Sequence, residues 1–209
     1  MTKKQRALKC IEALEKQYET AQCQLNHSNG LELLIATRLS AQCTDNRVNM
    51  VTPALFERYK SVDDYANADV EEIEQYIKSC GLYKTKAKDI KNIAIALKER
   101  FSGQLPQSME HLTSLPGVGR KTANLIRGDI FNLPAIVCDT HVIRITNLLG
   151  LAEGKDAYKI EKQLSEILPP EKSNDFCHRV VLHGRAVCIA RRPKCDECCL
   201  KPFCKGAKK

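Results

Sequence analysis

The C-terminal segment CIARRPKCDECCLKPFC, residues 188–204, constrains the fold most because it holds five of the eleven cysteines. Four of them have the spacing C-x6-C-x2-C-x5-C: Cys188, Cys195, Cys198 and Cys204. The N-terminal sequence has no apolar signal-peptide core, so we expect a cytosolic chain, or a nuclear one in a eukaryote. Thiols stay reduced there, and clustered cysteines bind metal more often than they form disulfides. By ligand type, four thiolates suit either zinc or a [4Fe–4S] cubane.

The chain carries an excess of positive charge that favours a polyanionic partner. Its 209 residues have a net charge of +8 at pH 7, which suits nucleic acid binding, although a solvated basic protein could have the same charge. Three cations lie between the first two clustered cysteines: Arg191, Arg192 and Lys194. A purely structural metal centre needs no cations beside it, so we predict that this loop contacts a phosphate backbone.

Apolar residues repeat at helical spacing along most of the chain, as in Leu31–Leu39 and Ile90–Leu97. Glycine and proline punctuation divides the sequence into nine or ten helices. The best strand candidate is AIVCDTH, residues 135–141, which is short and isolated. No stretch reaches the roughly 18 apolar residues of a membrane span. The predicted fold class is therefore all-α, with no membrane partner.

The segment SLPGVGRKTAN, residues 114–124, predicts a tight turn that leads into a helix. Gly117 and Gly119 tolerate backbone angles that other residues resist, and neither has a side chain that keeps another backbone at a distance. Arg120 begins a helix whose free N–H groups suit a phosphate, although an ordinary helix–turn–helix corner is the alternative. The fuller string LPGVGRKTA resembles the helix-hairpin-helix of DNA repair glycosylases.

Lys121 and Asp139 are the candidate catalytic pair. Lys121 falls in the first turn of that helix, where partial positive charge disfavours an ammonium and leaves more of the nucleophilic neutral amine. Taken singly, Lys121 could instead be a surface cation on phosphate, and Asp139 could cap the next helix. With the hairpin, the pair resembles the catalytic lysine and aspartate of the endonuclease III family, whose V-D-T-H segment here has Cys138 in place of valine. A free cysteine behaves as a small hydrophobe, so the resemblance stands.

Two further segments resemble parts of that family that enter the DNA duplex. LSAQCTDNRVN, residues 39–49, is similar to a segment whose glutamine fills the space left by the extruded nucleotide, which implies that role for Gln42. SCGLYKTKA, residues 79–87, is similar to a loop whose leucine wedges between bases, which implies that role for Leu82. Three lysines after it are expected to hold phosphates: Lys84, Lys86 and Lys88. The alternatives are a plain helix end at Gln42 and a buried loop anchor at Leu82.

The cysteine spacing is similar to that of endonuclease III and of the adenine mismatch glycosylases. Zinc modules more often show two C-x2-C knuckles a dozen or more residues apart. The resemblance implies a [4Fe–4S] cluster on four ligands: Cys188, Cys195, Cys198 and Cys204. Cys199 could compete with Cys198, but the 6-2-5 register favours Cys198. The spacing leaves open whether the cluster takes part in redox chemistry.

The resemblance covers nearly the whole chain, from the helix at Leu31 to Cys204. It implies two helical domains that flank a DNA-binding cleft. Residues 23–133 are expected to form a six-helix barrel with the helix-hairpin-helix. Residues 1–22 together with 134–209 are expected to form the cluster domain.

The resemblance also implies the activity of a bifunctional DNA glycosylase and AP lyase in base excision repair. Its expected substrates are oxidised pyrimidines and abasic sites in double-stranded DNA, with base flipping, attack by Lys121 and β-elimination through a Schiff base. Asp139 would stay ionised and stabilise the developing charge. His141 would support the pocket or contact the DNA backbone. We expect a monomer in a bacterial or archaeal cytoplasm, associated with the nucleoid.

Two rival hypotheses predict different chemistry. A monofunctional adenine mismatch glycosylase would have another residue at the hairpin lysine and a catalytic glutamate in the early helix. No acid lies between Glu32 and Asp45 in this chain, which counts against that hypothesis. A non-catalytic DNA-binding module with a structural metal would use Lys121 only as a phosphate contact.

Overall fold

The computed structural model describes residues 1–207, and these residues form helices and no strand. The α-helices are α1 (Lys3–Gln17), α2 (Gly30–Ser40), α3 (Asp45–Arg58), α4 (Val62–Asn67), α5 (Val70–Ile77), α6 (Tyr83–Phe101), α7 (Met109–Thr113), α8 (Arg120–Asp129), α9 (Thr140–Leu148), α10 (Ala157–Ser165) and α11 (Ser173–Ala186). Short 3-10 helices lie at Lys78–Cys80, Pro170–Lys172, Cys195–Glu197 and Lys201–Phe203. The all-α fold class is confirmed. Nine or ten helices are too few for the described residues, since α4 and α7 have only six and five residues and give little periodic signal.

The strand candidate AIVCDTH forms no strand. Ala135–Cys138 is a buried irregular segment, and the amide of Ala135 donates to Ser173 Oγ at 3.2 Å. Asp139 then serves as the N-cap of α9. The apolar run reflects burial of a connecting segment, and a short apolar run does not by itself distinguish such a segment from a strand.

The chain divides into two compact units. The central unit comprises residues 23–131 and contains α2–α8. Among the described residues, the terminal unit comprises 1–22 together with 132–207, and contains α1 and α9–α11. Each unit has an apolar core of its own.

The central unit is built around the apolar faces of α2, α5 and α6. Ile77 on α5 and Ile90 and Leu97 on α6 are buried, and α6 packs against α4 and α5. Five of its helices begin with polar N-caps that accept an amide hydrogen bond: Asn29, Thr44, Ser61, Asp69 and Ser108. The helix that ends just before Gln42, α2, also packs against α8, which carries Lys121.

In the terminal unit, α11 packs against both α1 and α9. Phe176 and Val180 of α11 are buried, as is Leu14 of α1. Arg179 Nε donates to the carbonyl of Tyr18 at 3.0 Å, which ties the end of α1 to α11. Among residues 1–207, no helix has both the length and the apolar character that a membrane crossing requires.

Candidate functional site

The predicted glycine turn joins α7 to α8 in the central unit. Gly117 has a φ of 68°, and a Cβ placed there would lie 2.7 Å from Arg38 Nε and 3.0 Å from Asp89 Oδ2. Backbone conformation and close approach therefore both require glycine at this position. Gly119 differs, because its φ of −92° is open to any residue and a Cβ would meet nothing within 4 Å. The expectation that both glycines need special angles is corrected for Gly119, which instead leaves open space beside the turn.

The turn rests on an ion pair between α2 and α6. Arg38 Nε donates to Asp89 Oδ2 at 2.8 Å, and the two side chains are only 16% and 21% exposed. Loss of either partner would leave the other charge with little access to water, which is costly. The pair therefore supports the hairpin more firmly than an exposed pair could.

The first turn of α8 presents the predicted nucleophile. Gly119 is the N-cap residue and provides no side chain to cap the amides of this turn. Arg120 and Lys121 are exposed there, and the helix continues into the buried residues Ala123 and Ile126. The hairpin thus brings Gly119, Arg120 and Lys121 together at one exposed helix end, where backbone amides and cationic side chains favour an anion.

Gln42 lies in the turn between α2 and α3. α2 ends at Ser40, and Thr44 begins α3 by accepting a hydrogen bond from the amide of Arg47 at 3.3 Å. Gln42 is exposed and has a φ of 54°, a left-handed conformation that is uncommon for residues other than glycine. The residue therefore stands at a tight, solvent-facing helix end.

Leu82 lies in a second turn of the central unit, between the 3-10 helix Lys78–Cys80 and α6. Gly81 and Leu82 both have positive φ values, 64° and 48°, and Leu82 is 58% exposed. This exposure excludes the buried loop anchor that was the alternative for Leu82. A left-handed backbone at a leucine is costly and persists only where the surroundings fix it.

One of the three lysines after this turn is not available to phosphate. Lys84 and Lys88 are exposed, whereas Lys86 is fully buried at 0% exposure. Its Nζ donates to the carbonyl oxygens of Leu39 at 2.8 Å and of Cys80 at 2.7 Å. The prediction that Lys86 holds a phosphate is therefore wrong.

The helical periodicity of α6 explains why Lys86 is buried. In a helix that begins at Tyr83, Lys86 shares one stripe with Ile90, Ile93 and Leu97, all of which are buried. That stripe is the signal in the sequence that could have located Lys86 in the core.

Asp139 lies in the terminal unit, as the N-cap of α9. Its Oδ1 accepts a hydrogen bond from the amide of Val142 at 2.8 Å, so the capping role considered from the sequence is present. Burial raises the pKa of the neighbouring Cys138 thiol to about 12, which keeps it neutral, as suits a small apolar packing residue. Lys121 and Asp139 therefore belong to different units of the chain.

His141 packs against α11. A Cβ at Gly184 would lie 2.5 Å from His141 Nδ1, so the ring fills space that only glycine leaves. Arg144 Nη2 lies 3.2 Å from the same nitrogen, and a guanidinium can only donate. This bond requires the tautomer of His141 that carries its proton on Nε2.

The four predicted cysteine ligands line one cavity of about 170 Å³ in the terminal unit: Cys188, Cys195, Cys198 and Cys204. Cys199 does not line it. Across residues 1–207, no group of three or more Cys, His, Asp or Glu side chains is arranged to hold a metal ion. In a [4Fe–4S] cluster each thiolate ligates a different iron, so the sulfurs surround a shared space instead of meeting at one atom. Four cysteines around one cavity fit such a cluster.

Hydrogen-bond donors face two of these sulfurs. Arg144 Nη1 lies 3.4 Å from Cys188 Sγ, and His183 Nε2 lies 3.2 Å from Cys198 Sγ. The hydroxyl of Tyr18 lies 3.1 Å from His183 Nδ1 and can donate to or accept from that nitrogen. When Cys198 is a thiolate, Nε2 of the neutral ring donates to the sulfur, and Nδ1 then accepts from the Tyr18 hydroxyl. Burial lowers the pKa of His183 to about 4, which keeps the ring neutral. Burial and then the neighbouring cluster thiols raise the pKa of Cys198, so a bound cation is needed to favour its thiolate.

The cations of the cluster loop, Arg191, Arg192 and Lys194, are exposed, and one of them lies near a carboxylate. Arg191 and Arg192 are exposed, and Lys194 Nζ lies 3.8 Å from a carboxylate oxygen of Glu197. An exposed pair at this distance contributes little to stability and leaves the lysine able to exchange partners.

Several supporting residues carry no local signal in the sequence. Tyr18 meets His183, and Arg38 meets Asp89, only through tertiary packing of distant segments. Arg144 is different, since it lies three residues after His141 on α9, a spacing at which helical side chains are neighbours.

Comparison with known proteins shows extensive similarity. Residues 35–170 match the family described as "HhH-GPD superfamily base excision DNA repair protein". The chain is 45% identical over 207 residues to an endonuclease III from Synechocystis sp., which covers 99% of this chain and 94% of the relative. It is 42% identical over 201 residues to an endonuclease III from Bacillus subtilis, covering 96% and 92%. A trapped endonuclease III–DNA covalent intermediate is similar in structure, with a TM-score of 0.92 and 41% identity over 99% of this chain and 98% of that one.

Proposed function

The chain belongs to the endonuclease III family, within the HhH-GPD superfamily of base excision DNA repair proteins, and we propose that it is a bifunctional DNA glycosylase and AP lyase. The observation that carries this proposal is the exposed Lys121 in the first turn of α8, in a chain similar to an enzyme trapped in covalent linkage with DNA. The enzyme removes a damaged base and cuts the strand through a lysine Schiff base.

Lys121 is the nucleophile in this proposal. The lone pair of its neutral Nζ attacks C1′ of the damaged nucleotide, and the glycosidic bond breaks with its electrons leaving on the base, which takes up a proton. The amine then loses a proton, and the C1′–O4′ bond opens as the nitrogen lone pair forms a protonated Schiff base and O4′ takes up a proton. Removal of a proton from C2′ and cleavage of the C3′–O3′ bond cut the strand 3′ to the lesion. The exposure of Lys121 supports this role, because its target is a nucleotide extruded from the duplex.

Asp139 is the carboxylate that assists Lys121 in this proposal. As an anion it stabilises the positive charge that develops on the sugar when the base departs. It then accepts the proton that the amine loses and passes it to O4′ when the ring opens. The hydrogen bond from the amide of Val142 to Oδ1 supports this role, because it fixes the orientation of the carboxylate.

Two groups of residues in the central unit are proposed to bind DNA. Gly117, Gly119 and Arg120 bind a phosphate, supported by the open space beside Gly119 and the uncapped start of α8. Gln42 and Leu82 enter the duplex, supported by the exposure of both side chains on tight turns.

The terminal unit is proposed to contribute further contacts to the phosphate backbone. Arg191 and Lys194 on the exposed cluster loop attract phosphates. His141 supports the α9 helix that Asp139 caps, through its contacts with Arg144 and Gly184.

A [4Fe–4S] cluster is proposed as the resident cofactor, held by the four cysteines that line one cavity: Cys188, Cys195, Cys198 and Cys204. When bound, it supplies four iron–thiolate bonds that hold the C-terminal segment in place. Arg144 and His183 orient and stabilise two of the ligand sulfurs through their N–H donors.

The proposed substrate is double-stranded DNA that contains oxidised pyrimidines or abasic sites. The net charge of +8 supports a polyanionic partner. The chain would act as a monomer in the cytoplasm, at the nucleoid.

Borohydride trapping on an abasic-site duplex tests the proposed activity. Wild type is expected to form a reduced covalent adduct and to nick the strand, while Lys121→Gln binds the duplex and forms neither product. Lys159→Gln is the matched control, because Lys159 is also an exposed lysine in the first turn of a helix. A wild-type protein that binds DNA without adduct or nicking would instead be a DNA-binding module.

An iron assay and absorbance near 400 nm, roughly where thiolate-bound iron absorbs, test the proposed cluster. Zinc in place of iron would overturn it.

A further inference from the structure

Lys86 is a buried cation whose purpose the reaction does not explain. It is fully buried on α6, although lysine is rarely removed from water unless it is paired. Burial lowers its pKa, because the charged ammonium is the form that loses solvation. A lysine kept at such a position must make contacts that an apolar side chain could not.

The contacts of Lys86 join two segments that are distant in sequence. Its Nζ donates to Leu39 O near the end of α2 and to Cys80 O at the end of the 3-10 helix, at 2.8 and 2.7 Å. Its own amide donates to Leu82 O at 3.0 Å, the first hydrogen bond of α6. Carbonyls at helix ends lack partners within the helix, so the ammonium satisfies groups that would otherwise be left unpaired.

Both bound segments lead directly into the two turns proposed to enter DNA. Leu39 precedes Gln42 by three residues, and Cys80 precedes Leu82 by two. Gln42 and Leu82 each have a left-handed backbone, with φ values of 54° and 48°. Such conformations in residues other than glycine persist only where surrounding contacts fix them.

A second contact joins the same two turns. Cys43, next to Gln42, forms a side-chain hydrogen bond with Cys80. Burial first, and then Cys43, raises the pKa of the Cys80 thiol to about 11. The Cys80 thiol is therefore neutral, and its hydrogen bond with Cys43 places the two turns in contact.

We propose that Lys86 is a positioning residue for damage recognition: by binding Leu39 O and Cys80 O, it fixes the spacing of the turns that carry Gln42 and Leu82. The two side chains are then held ready to enter one duplex together. This inference rests on the proposed function, since it requires both turns to insert into DNA. An isolated core role for Lys86 would stabilise the fold without favouring damaged DNA over intact DNA.

We call the two hydrogen bonds from Lys86 Nζ to Leu39 O and Cys80 O the clamp. Lys86→Met tests the clamp, because methionine keeps an unbranched apolar chain and removes the N–H donors. Lys91→Met is the matched control: Lys91 also lies on α6 and its Nζ donates to a carbonyl, that of Ala68 at 2.9 Å, away from both turns. Binding is measured for two duplexes, one intact and one with a tetrahydrofuran abasic analogue. The analogue duplex carries 2-aminopurine in the opposite strand, facing the analogue. The fluorescence of 2-aminopurine rises when this base loses its stacking.

Lys86→Met is expected to bind the analogue duplex about tenfold more weakly than wild type, as fits loss of hydrogen bonds to a charged group. Its 2-aminopurine signal falls, while binding to intact duplex stays unchanged. Lys91→Met behaves as wild type in all three measurements. In a Gln42→Ala/Leu82→Ala background, Lys86→Met has no further effect, because the side chains that it positions are gone.

Three outcomes overturn the clamp. One is equal binding of the analogue duplex by Lys86→Met and Lys91→Met. Another is an equal loss for intact and analogue duplexes, and the third is a tenfold loss that persists in the Gln42→Ala/Leu82→Ala background. If that double variant by itself binds the analogue duplex like wild type, the assignment of the turns in the proposed function has failed as well, which the other outcomes do not imply.

If Lys86→Met does not melt cooperatively, and so is not folded, Lys86→Arg tests the clamp in its place. The guanidinium keeps a charge and donors in the core but holds them farther from Cα, which shifts the two turns apart. The same selective loss on the analogue duplex is expected. Wild-type affinity and fluorescence in Lys86→Arg would contradict the clamp.

Discussion

The central and terminal units present their functional residues in opposite ways. In the central unit, Gln42, Leu82 and Lys121 are exposed on two turns and a helix start. In the terminal unit, four cysteines line a single cavity. The exposed residues are proposed to bind DNA only transiently, so DNA cannot maintain their geometry. That geometry depends on buried contacts within the protein, such as those of Lys86 and of the Arg38–Asp89 pair. Cys198 and Cys204 depend on the group they bind, because burial, and then repulsion from neighbouring cluster sulfurs, raises the pKa of these two thiols and disfavours their thiolates without it.

The largest effect is expected from removal of one cluster ligand. Cys198→Ala should lose the iron absorbance and cooperative melting of the terminal unit, because metal binding contributes several kcal/mol, and often about 10 kcal/mol, to the folding of such segments. Cys199→Ala is the control, since Cys199 does not line the cavity. Iron content and thermal melting measure both variants. Equal iron loss in the two variants would contradict this prediction, because Cys198 would then be no more important to the cluster than Cys199.

Two substitutions of Asp139 separate its role as a helix N-cap from the role of its negative charge. Asp139→Asn keeps an N-cap that can accept from the amide of Val142 but removes the charge, so adduct formation should slow by about a hundredfold or more with little change in melting. Asp139→Ala should also lose about 1 kcal/mol of stability, because the cap is gone. Single-turnover trapping and thermal melting distinguish the two losses. Wild-type trapping in Asp139→Asn would reduce Asp139 to a structural cap.

The two hairpin glycines should respond differently to alanine. Gly117→Ala should destabilise the chain by about 1–2 kcal/mol, because alanine there is strained at positive φ and its Cβ approaches Arg38 and Asp89. Gly119→Ala should leave the free energy of unfolding nearly unchanged and weaken DNA binding, since its Cβ enters open space beside the turn. Denaturant unfolding and duplex binding measure both properties. Equal destabilisation by the two substitutions would contradict the difference in backbone angle.

The smallest effect is expected at the cluster loop. Arg191→Ala should lower duplex affinity a few-fold and reduce the slope of log affinity against log salt by about 1, as fits loss of one phosphate contact. Lys159→Ala, at an exposed position on α10, is the control and should leave that slope unchanged. Binding titrations over a range of salt concentrations measure both. An unchanged slope in Arg191→Ala would remove the loop from the DNA interface.

Local patterns in the sequence were sufficient where a residue's role depends on its neighbours in the chain. The helical repeat gives the all-α class, and the left-handed turn at Gly117 follows from the glycine and proline around it. The position of Cys199 off the cavity agrees with the 6-2-5 cysteine register that the resemblance to endonuclease III implies. In each case the controlling interactions lie within a few residues or repeat at a fixed period.

The sequence was insufficient where packing between distant segments decides. The sequence groups Lys86 with Lys84 and Lys88 because the three lysines follow Leu82 closely, yet in α6 Lys84 and Lys88 are exposed and Lys86 lies on the opposite, core face. The hydrogen bond between Tyr18 and His183 joins opposite ends of the chain and has no local signal. AIVCDTH was favoured as a strand because apolar runs are ambiguous until their surroundings are known.

The role of Lys121 as the nucleophile is tested most directly by the attachment site of the covalent bond to DNA. An abasic duplex is treated with the enzyme and borohydride, the adduct is digested with protease and nuclease, and the peptides are sequenced by mass spectrometry. A reduced deoxyribose remnant is expected on Nζ of Lys121 and on no other amine. Modification of Lys84, Lys88 or the amino terminus, with Lys121 unmodified, would contradict it.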